Sequence, residues 1–163
     1  MATAQPITIG GITVSPGHSR VVSIPLAPLA THDVLEMSVY VQVGVKPGPV
    51  LFVCAAIHGD ELNGVDIIRQ LMVHPALQHL AGTLLAIPIV NVHGFLHQTR
   101  YLPDGRDLNR SFPGSSSGSL SSRVAKKFVD EILVKADFAL RHFSIIYAAP
   151  QKFATPNVGL LAE

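Results

Sequence analysis

The distribution of apolar residues around position 58 defines the centre of the predicted fold. Residues 51–57 form a continuous apolar run, which is typical of a strand covered on both faces of a sheet. After the segment from His58 to Glu61, apolar residues recur at the spacing of an amphipathic helix: Leu62, Val65, Ile68 and Leu71. His58 and Glu61 therefore lie outside the carboxyl end of a strand, where open α/β sheets bind their ligands.

The same pattern predicts an α/β fold for the first half of the chain. Short β-rich runs separated by Gly and Pro predict an antiparallel entry to the sheet: residues 7–14, 20–26 and 38–45. A central strand at 50–57, a helix at about 60–73 and a buried strand at 83–90 form a β-α-β unit. Such a unit should be parallel and right-handed.

The second half begins with a long irregular segment, residues 91–118, and segments of this kind inside a domain are usually functional or mobile. A helix at 120–135 follows, and residues 138–140 and 143–147 are predicted strands. We expect a single α/β domain over residues 1–163, with a mixed, mostly parallel sheet flanked by helices.

The composition narrows the function classes. With 48% hydrophobic and 14% charged residues, the chain is more apolar than an average soluble domain, which has about 25% charged residues. No apolar run reaches the roughly 18–20 residues of a membrane span, and a net charge of +1 without a basic cluster argues against nucleic acid. The single cysteine, Cys54, excludes a disulfide framework. The first residues lack the regions of a signal peptide, so we expect a cytoplasmic protein.

His58 and Glu61 carry the first candidate chemistry. Zn²⁺ favours imidazole and carboxylate ligands, and a catalytic zinc site needs three protein ligands with one position left open. At a spacing of three, both side chains can reach one ion across a strand-to-helix turn, where Gly59 allows the backbone to bend. The alternative interpretation is an exposed loop histidine beside a glutamate that caps the helix.

The second candidate is the arginine-rich segment from Arg100 to Gly114. Guanidinium groups suit carboxylate substrates and stabilise a developing oxyanion, and the alternative is a solvated loop with one or two ion pairs. His93 and His97 are spaced for one helical face, but a metalloprotease helix needs Glu at the position of Gly94. Two loop histidines without a common role are the favoured interpretation.

Three segments together resemble a known family. The stretches from Gly48 to Gly64, from Ile87 to Phe95 and from Arg106 to Gly114 are similar to the succinylglutamate desuccinylase/aspartoacylase family of zinc hydrolases. The resemblance covers roughly residues 10–140. It implies a zinc carboxypeptidase-like (phosphorylase/hydrolase-like) fold, of which this chain has the N-terminal half.

The resemblance also implies site residues. His58 and Glu61 would be two of three zinc ligands, and Asn109 and Arg110 would hold a substrate carboxylate. Either Arg100 or Arg106 would polarise the scissile carbonyl. The implied reaction is hydrolysis of an amide bond in a small anionic acyl-amino acid or peptide, as in metallo-deacylases and metallopeptidases. Imidazole and carboxylate ligands also accept other divalent metals.

The chain departs from the family at the third zinc ligand. The family has a histidine in an Asp-Leu-His segment, and residues 136–140 match the approach to it, but Phe143 stands at the ligand position. His142 lies one residue early, and on a strand that shift points the side chain to the opposite face. The third ligand is therefore expected from His142, from solvent or from another chain, or it is missing.

The general base of the family, a downstream glutamate, has no counterpart either. No acidic residue lies between Arg141 and Ala162. Residues 141–163 are predicted to be a divergent C-terminal tail, as in a truncated or frame-shifted copy of an ancestral enzyme. Three functions remain open: a zinc-dependent hydrolase, a non-catalytic metal-binding remnant, and a half-enzyme completed in a homo-oligomer.

Overall fold

A computed structural model describes residues 4–28, 34–141 and 144–147. Within them the chain forms eight strands: β1 (Ile7–Ile9), β2 (Ile12–Val14), β3 (Ser19–Pro28), β4 (Val34–Val43), β5 (Lys46–Cys54), β6 (Ala81–Ile87), β7 (Phe138–Arg141) and β8 (Ser144–Tyr147). The same residues contain three α-helices: α1 (Asn63–Met72), α2 (Val92–His97) and α3 (Leu120–Glu131). Short 3-10 turns complete the described elements: Pro75–His79, Leu108–Arg110 and Leu133–Lys135. None of the described helices combines the length and hydrophobicity that crossing a membrane requires.

Strands β3 to β8 form one mixed sheet in the order β3-β4-β6-β5-β7-β8. The two central pairs, β6 with β5 and β5 with β7, are parallel, and the pairs towards either edge are antiparallel. The path from β5 through α1 to β6 confirms the predicted parallel β-α-β unit. The predicted mixed sheet flanked by helices is confirmed, with its parallel strands at the centre.

The central strands are continuously apolar because both faces of the sheet are covered. Phe52 of β5 packs into the larger core, where its ring meets Phe128 of α3 edge to face at 5.4 Å. Val53, the next residue, points the other way into the smaller core with Ile68 of α1. Each of these buried side chains contributes about 1.5–3 kcal/mol of hydrophobic stabilisation.

The first predicted run, residues 7–14, does not enter the main sheet. It forms the hairpin β1–β2, a separate two-stranded sheet in which Ile9 pairs with Ile12 across a two-residue turn. Gly10 and Gly11 have φ angles of 53° and 78°, and the commonest two-residue hairpin turn requires positive φ at both positions. The run is therefore interrupted by a turn that reverses the chain.

Other element boundaries also differ from the prediction. Helix α1 begins at Asn63 rather than near residue 60, and the segment 91–118 contains α2 and a 3-10 turn. The Asn91 side-chain oxygen starts α2 by accepting a hydrogen bond from the Gly94 N–H at 2.8 Å. Predictions for residues 142–143 and 148–163 lie outside the described residues.

The turn after β5 packs backbone against backbone with α2. A Cβ atom at Gly59 would lie 1.8 Å from the carbonyl carbon of Gly94. The Gly59 N–H donates to the Thr99 oxygen at 3.1 Å, and the Thr99 N–H donates to the Gly94 oxygen at 2.9 Å. Residues 58–61 are therefore fixed against the segment that begins at Thr99.

Replacing Gly59 with Ala should destabilise the protein severely, because the added methyl group meets backbone that cannot rotate away. We expect Gly59→Ala to lower the free energy of unfolding by about 3 kcal/mol or more, measured by urea titration. Asp60→Ala is the matched control, since the neighbouring Asp60 is exposed. Equal stability of the two variants would contradict the close packing.

Glu131 ties the hairpin to the end of α3. Its carboxylate accepts a hydrogen bond from the Gly10 N–H at 3.0 Å and pairs with Lys135 and Lys127 at 3.3 and 3.5 Å. Lys135 Nζ also donates to the Thr8 carbonyl oxygen at 2.7 Å. Burial alone would raise the pKa of Glu131, but the hydrogen bonds from Gly10 and Lys135 and the two lysine charges outweigh it and lower the pKa.

The contribution of Glu131 to stability should depend on pH. Because its folded pKa lies below the ordinary value of 4.5, the contribution is present above that value and is lost as pH falls through the folded pKa. We expect Glu131→Gln to lower the free energy of unfolding by roughly 1 kcal/mol at about pH 6 and by much less at about pH 3.

Urea titrations of both proteins at the two pH values measure this difference. Asp130→Asn on the same helix is the control, since its exposed ion pair with Lys126 should matter little. An identical loss at both pH values would argue against an ionised, hydrogen-bonded Glu131.

Candidate active site

His58 follows β5 at a strained point of the backbone. Ala56, two residues earlier, has a φ of 47°, which is uncommon for a residue other than glycine. Two backbone hydrogen bonds hold this conformation, from the Ala55 N–H to the Ile87 oxygen at 3.0 Å and from the Asn91 N–H to the Ala56 oxygen at 2.8 Å. His58 is 2% exposed, so its side chain is confined at the carboxyl edge of the central strand.

The imidazole ring of His58 lies between two carboxylates. Its Nδ1 is 2.7 Å from Glu61 Oε1, and its Nε2 is 3.0 Å from Asp107 Oδ1. A carboxylate only accepts hydrogen bonds, so a protonated ring nitrogen donates to its own carboxylate, Nδ1 to Glu61 or Nε2 to Asp107. A metal-binding histidine usually donates the N–H of its other ring nitrogen to a carboxylate, which orients the ring. Asp107 can take that place on Nε2, and Nδ1 then faces Glu61.

Asp107 connects most of the polar groups in the site. Besides His58, its Oδ1 accepts the Asn109 N–H at 2.9 Å, and its Oδ2 accepts Nε and Nη2 of Arg100 at 3.2 and 3.1 Å. Burial alone would raise the pKa of Asp107, but the hydrogen bonds from His58, Asn109 and Arg100 outweigh it and lower the pKa. Asp107 is therefore a carboxylate at neutral pH, with every oxygen engaged.

Asp107 was not among the site residues predicted from the sequence. Its pairing with His58 spans 49 positions, so no local pattern joins the two residues. The signal that could have identified Asp107 is chemical, because a metal-binding histidine needs a hydrogen-bond acceptor for its second ring nitrogen. Asp107 is an acid inside the arginine-rich segment, two residues before Asn109, and it meets that need.

The structure separates the two arginines that the sequence left as alternatives. Arg100 binds Asp107 with two nitrogens, and its Nη1 lies 3.8 Å from Glu61 Oε1. The side chain of Arg100 is 39% exposed, so it contacts both the site and solvent. Arg106 is exposed, and its charge acts on Asp104. Arg100 therefore joins the group around the imidazole, and Arg106 lies apart from it.

Asn109 and Arg110 lie in the 3-10 turn that Asp107 caps. Arg110 is 79% exposed, and its Nε is 4.0 Å from Asp107 Oδ2. Asn109 is half-buried. The predicted substrate-binding pair thus lies beside Asp107, the residue that contacts His58.

His93 and His97, predicted as loop histidines, lie on α2 instead. Their rings stack at a centroid distance of 4.2 Å, and His97 Nδ1 donates to the His93 carbonyl oxygen at 2.9 Å. Burial and the neighbouring His97 lower the pKa of His93. Asn91 starts this helix despite Gly94 in its middle, which explains why the sequence pattern did not reveal it.

The donor groups at His58 and Glu61 are of the chemical types that bind zinc. One imidazole nitrogen and one carboxylate facing each other are ligand types of catalytic zinc sites. Among residues 4–28, 34–141 and 144–147, no group of three or more His, Cys, Asp or Glu is arranged to hold a metal ion. His142, the third predicted ligand, lies outside the described residues. His58 and Glu61 thus offer two donors.

Comparison with known proteins identifies the family of the chain. The sequence profile of the succinylglutamate desuccinylase/aspartoacylase catalytic domain matches residues 47–141, more than half of the chain. The N-alpha-acetyl-L-2,4-diaminobutyric acid deacetylase of Halomonas elongata is 30% identical over 94 residues, which are 57% of this chain and 28% of that protein.

Solved structures share the fold. A succinylglutamate desuccinylase/aspartoacylase from Rhodobacter sphaeroides has a TM-score of 0.71 at 28% identity, covering 85% of this chain and 42% of that one. The product-bound ectoine utilization protein EutE (DoeB) from Ruegeria pomeroyi has a TM-score of 0.71 at 25% identity, covering 84% and 43%. This chain spans less than half the length of each of these relatives. By its profile match and its fold, the chain belongs to the succinylglutamate desuccinylase/aspartoacylase family.

Proposed function

We propose that the chain carries the metal-binding and substrate-binding part of a zinc-dependent amide hydrolase of the deacylase or carboxypeptidase type. Its substrate would be a small acyl-amino acid or peptide with a carboxylate. The observation that supports this most directly is the His58 imidazole held between Glu61 and Asp107. A buried histidine that donates one ring N–H to a carboxylate is typical of metal sites. Glu61, beside the other nitrogen, supplies a second ligand type.

His58 Nδ1 and the Glu61 carboxylate would hold the metal. Bound zinc supplies a Lewis acid that polarises the carbonyl and makes water nucleophilic near neutral pH. The third ligand is proposed to be His142 or a histidine from another copy of the chain. Other divalent metals suit the same donors.

Asp107 would keep the His58 ring in a single orientation and tautomer. With Nδ1 bound to the metal, the ring proton would lie on Nε2 and donate to Asp107. It also orients Arg100 through two hydrogen bonds. One carboxylate thus couples the position of the metal-binding nitrogen to that of the guanidinium group.

Arg100 is the proposed group that polarises the scissile carbonyl. It lies within 3.8 Å of Glu61, and its partial exposure leaves part of the guanidinium open to a substrate oxygen. A positive charge held there stabilises the negative charge that develops on that oxygen. The contacts favour Arg100 over Arg106, which is exposed.

Asn109 and Arg110 would bind the substrate carboxylate. The exposed guanidinium of Arg110 lies beside Asp107, at a distance that leaves it able to form a bidentate pair. The relative from Halomonas elongata is named for deacetylation of an N-acetylated amino acid, which supports an acyl-amino acid as the substrate class.

The second candidate function is metal binding without turnover by this chain alone. It is favoured by the finding that the described residues group fewer than three ligands. In a homo-oligomer, another copy of the chain would contribute the third ligand, and the assembly would then be active although a single chain is not.

Zinc content and hydrolysis, measured on the same preparation, distinguish these functions. We expect stoichiometric zinc in the purified protein, and His58→Ala should lose it, because one of the two described donors disappears. His18→Ala is the control, since the His18 side chain is exposed and its Nδ1 contacts the nearby Pro16 carbonyl oxygen. Hydrolysis of N-acetyl amino acids that disappears in His58→Ala supports the enzyme.

Zinc without hydrolysis supports the second candidate, and light scattering then reports whether copies associate. A wild-type protein that binds no zinc would contradict both proposals.

Removal of the two arginines should have unequal effects on hydrolysis. We expect Arg100→Ala to lower kcat by about 100-fold or more with a smaller effect on KM, because its charge acts mainly in the transition state. Arg106→Ala, which removes an exposed guanidinium six residues away, should keep kcat within about threefold of wild type. The opposite ranking would assign the role to Arg106.

A further inference from the structure

A tight hairpin joins the two residues that flank the His58 group. The Gly105 N–H donates to the Leu102 oxygen at 2.9 Å, and the Leu102 N–H donates to the Arg106 oxygen at 3.2 Å. Arg100 and Asp107 lie just outside these bonds, and their side chains meet at the base of the hairpin. The position of the hairpin therefore sets the position of both residues.

Asp104, at the tip, fastens the hairpin to the start of α3. Its Oδ1 accepts the Ser121 hydroxyl at 2.6 Å, and its Oδ2 accepts the Ser121 N–H at 2.8 Å. Its Oδ1 also accepts the Arg106 N–H at 3.3 Å, within the hairpin itself. Ser121 is fully buried, and Leu102 is 3% exposed in the main core. The hairpin is thus held by one apolar anchor and one carboxylate.

The carboxylate form of Asp104 suits this position. Burial alone would raise its pKa, but hydrogen bonds from Ser121 and Arg106 and the charge of Arg106 outweigh it and lower the pKa. A negative charge is also favourable at the first turn of a helix. The anchor is therefore charged and hydrogen-bonded at neutral pH.

We propose that Asp104 is a positioning residue, which holds Arg100 and Asp107 against His58 and Glu61 by fixing the hairpin to α3. The chain of contacts runs from Ser121 to Asp104, through the hairpin to Asp107, and from Asp107 to His58 Nε2. This inference rests on the proposed function for its catalytic meaning, because Asp104 acts only through the groups that it positions. Its structural content is independent of zinc.

The test compares three substitutions with a control on the same helix. Asp104→Ala removes all acceptors, Asp104→Asn keeps an amide oxygen for the Ser121 N–H, and Ser121→Ala removes one donor. Ser119→Ala is the control, because the Ser119 side chain caps α3 by accepting the Ser122 N–H but does not contact the hairpin. Thermal unfolding of all four reports their stability.

The first readout is the NMR signal of the His58 Nε2 proton in chelator-treated protein. We expect the hydrogen bond to Asp107 to give a downfield, slowly exchanging resonance in wild type, in Asp104→Asn and in Ser119→Ala. Asp104→Ala should broaden or shift it, and Ser121→Ala should do so to a smaller extent. If Asp104→Ala does not fold, Ser121→Ala against Ser119→Ala decides the question.

The second readout is zinc affinity from competition with a chelator. We expect a loss of about tenfold in Asp104→Ala, the low end of the effect of disturbing a partner that orients a metal ligand. Asp104→Asn should recover most of it, and Ser119→Ala should match wild type even where its melting temperature falls.

A His58 proton signal in Asp104→Ala identical to that of wild type would overturn the proposal, as would an equal change in Ser119→Ala. If wild type binds no zinc, the proposed function fails, and the His58 signal still decides the role of Asp104.

Discussion

The carboxylate of Asp107 is the interaction on which the rest of the site depends. It contacts His58 Nε2 in the turn after β5 and accepts hydrogen bonds from the Arg100 guanidinium at the start of the hairpin. It also accepts the Asn109 N–H of the turn that carries Arg110. The formal charges of this group sum to zero, because two negative charges from Glu61 and Asp107 meet two positive charges from Arg100 and Arg110. A divalent cation bound as proposed would make the site net positive, and that charge would attract the proposed anionic substrate.

The fold was predictable where the signal is local. The run before residue 58 and the helix that follows have clear periods, because both faces of β5 and one face of α1 are buried. The hairpin β1–β2 and helix α2 were missed because a single turn or cap, rather than a long apolar period, decides each. A two-glycine turn decides the first, and in α2 the capping side chain of Asn91 and the packing of Gly94 outweigh a weak helical pattern.

The residues of the candidate site also fall into those that the sequence predicted and those that only the structure shows. His58 and Glu61 were predicted because three positions separate them in one turn, whereas Asp107 reaches His58 only through the tertiary fold. The choice between Arg100 and Arg106 could not be read from spacing, since Arg100 precedes the hairpin and Arg106 closes it. The fold of the hairpin determines which of the two reaches the carboxylates beside the imidazole. The contribution of His142 stays a prediction, as it lies outside the described residues.

The ion pair between Arg100 and Asp107 closes the hairpin at its base. Substitutions at the base and substitutions between these two residues should therefore have different effects. Residues at the base must keep their geometry, because they orient the imidazole. The stretch between them contains the anchors Leu102 and Asp104, so an insertion or deletion there would also move the base. Sequence change between the two residues is therefore confined to exposed side chains such as Tyr101 and Pro103, whose exchange would leave the imidazole in place.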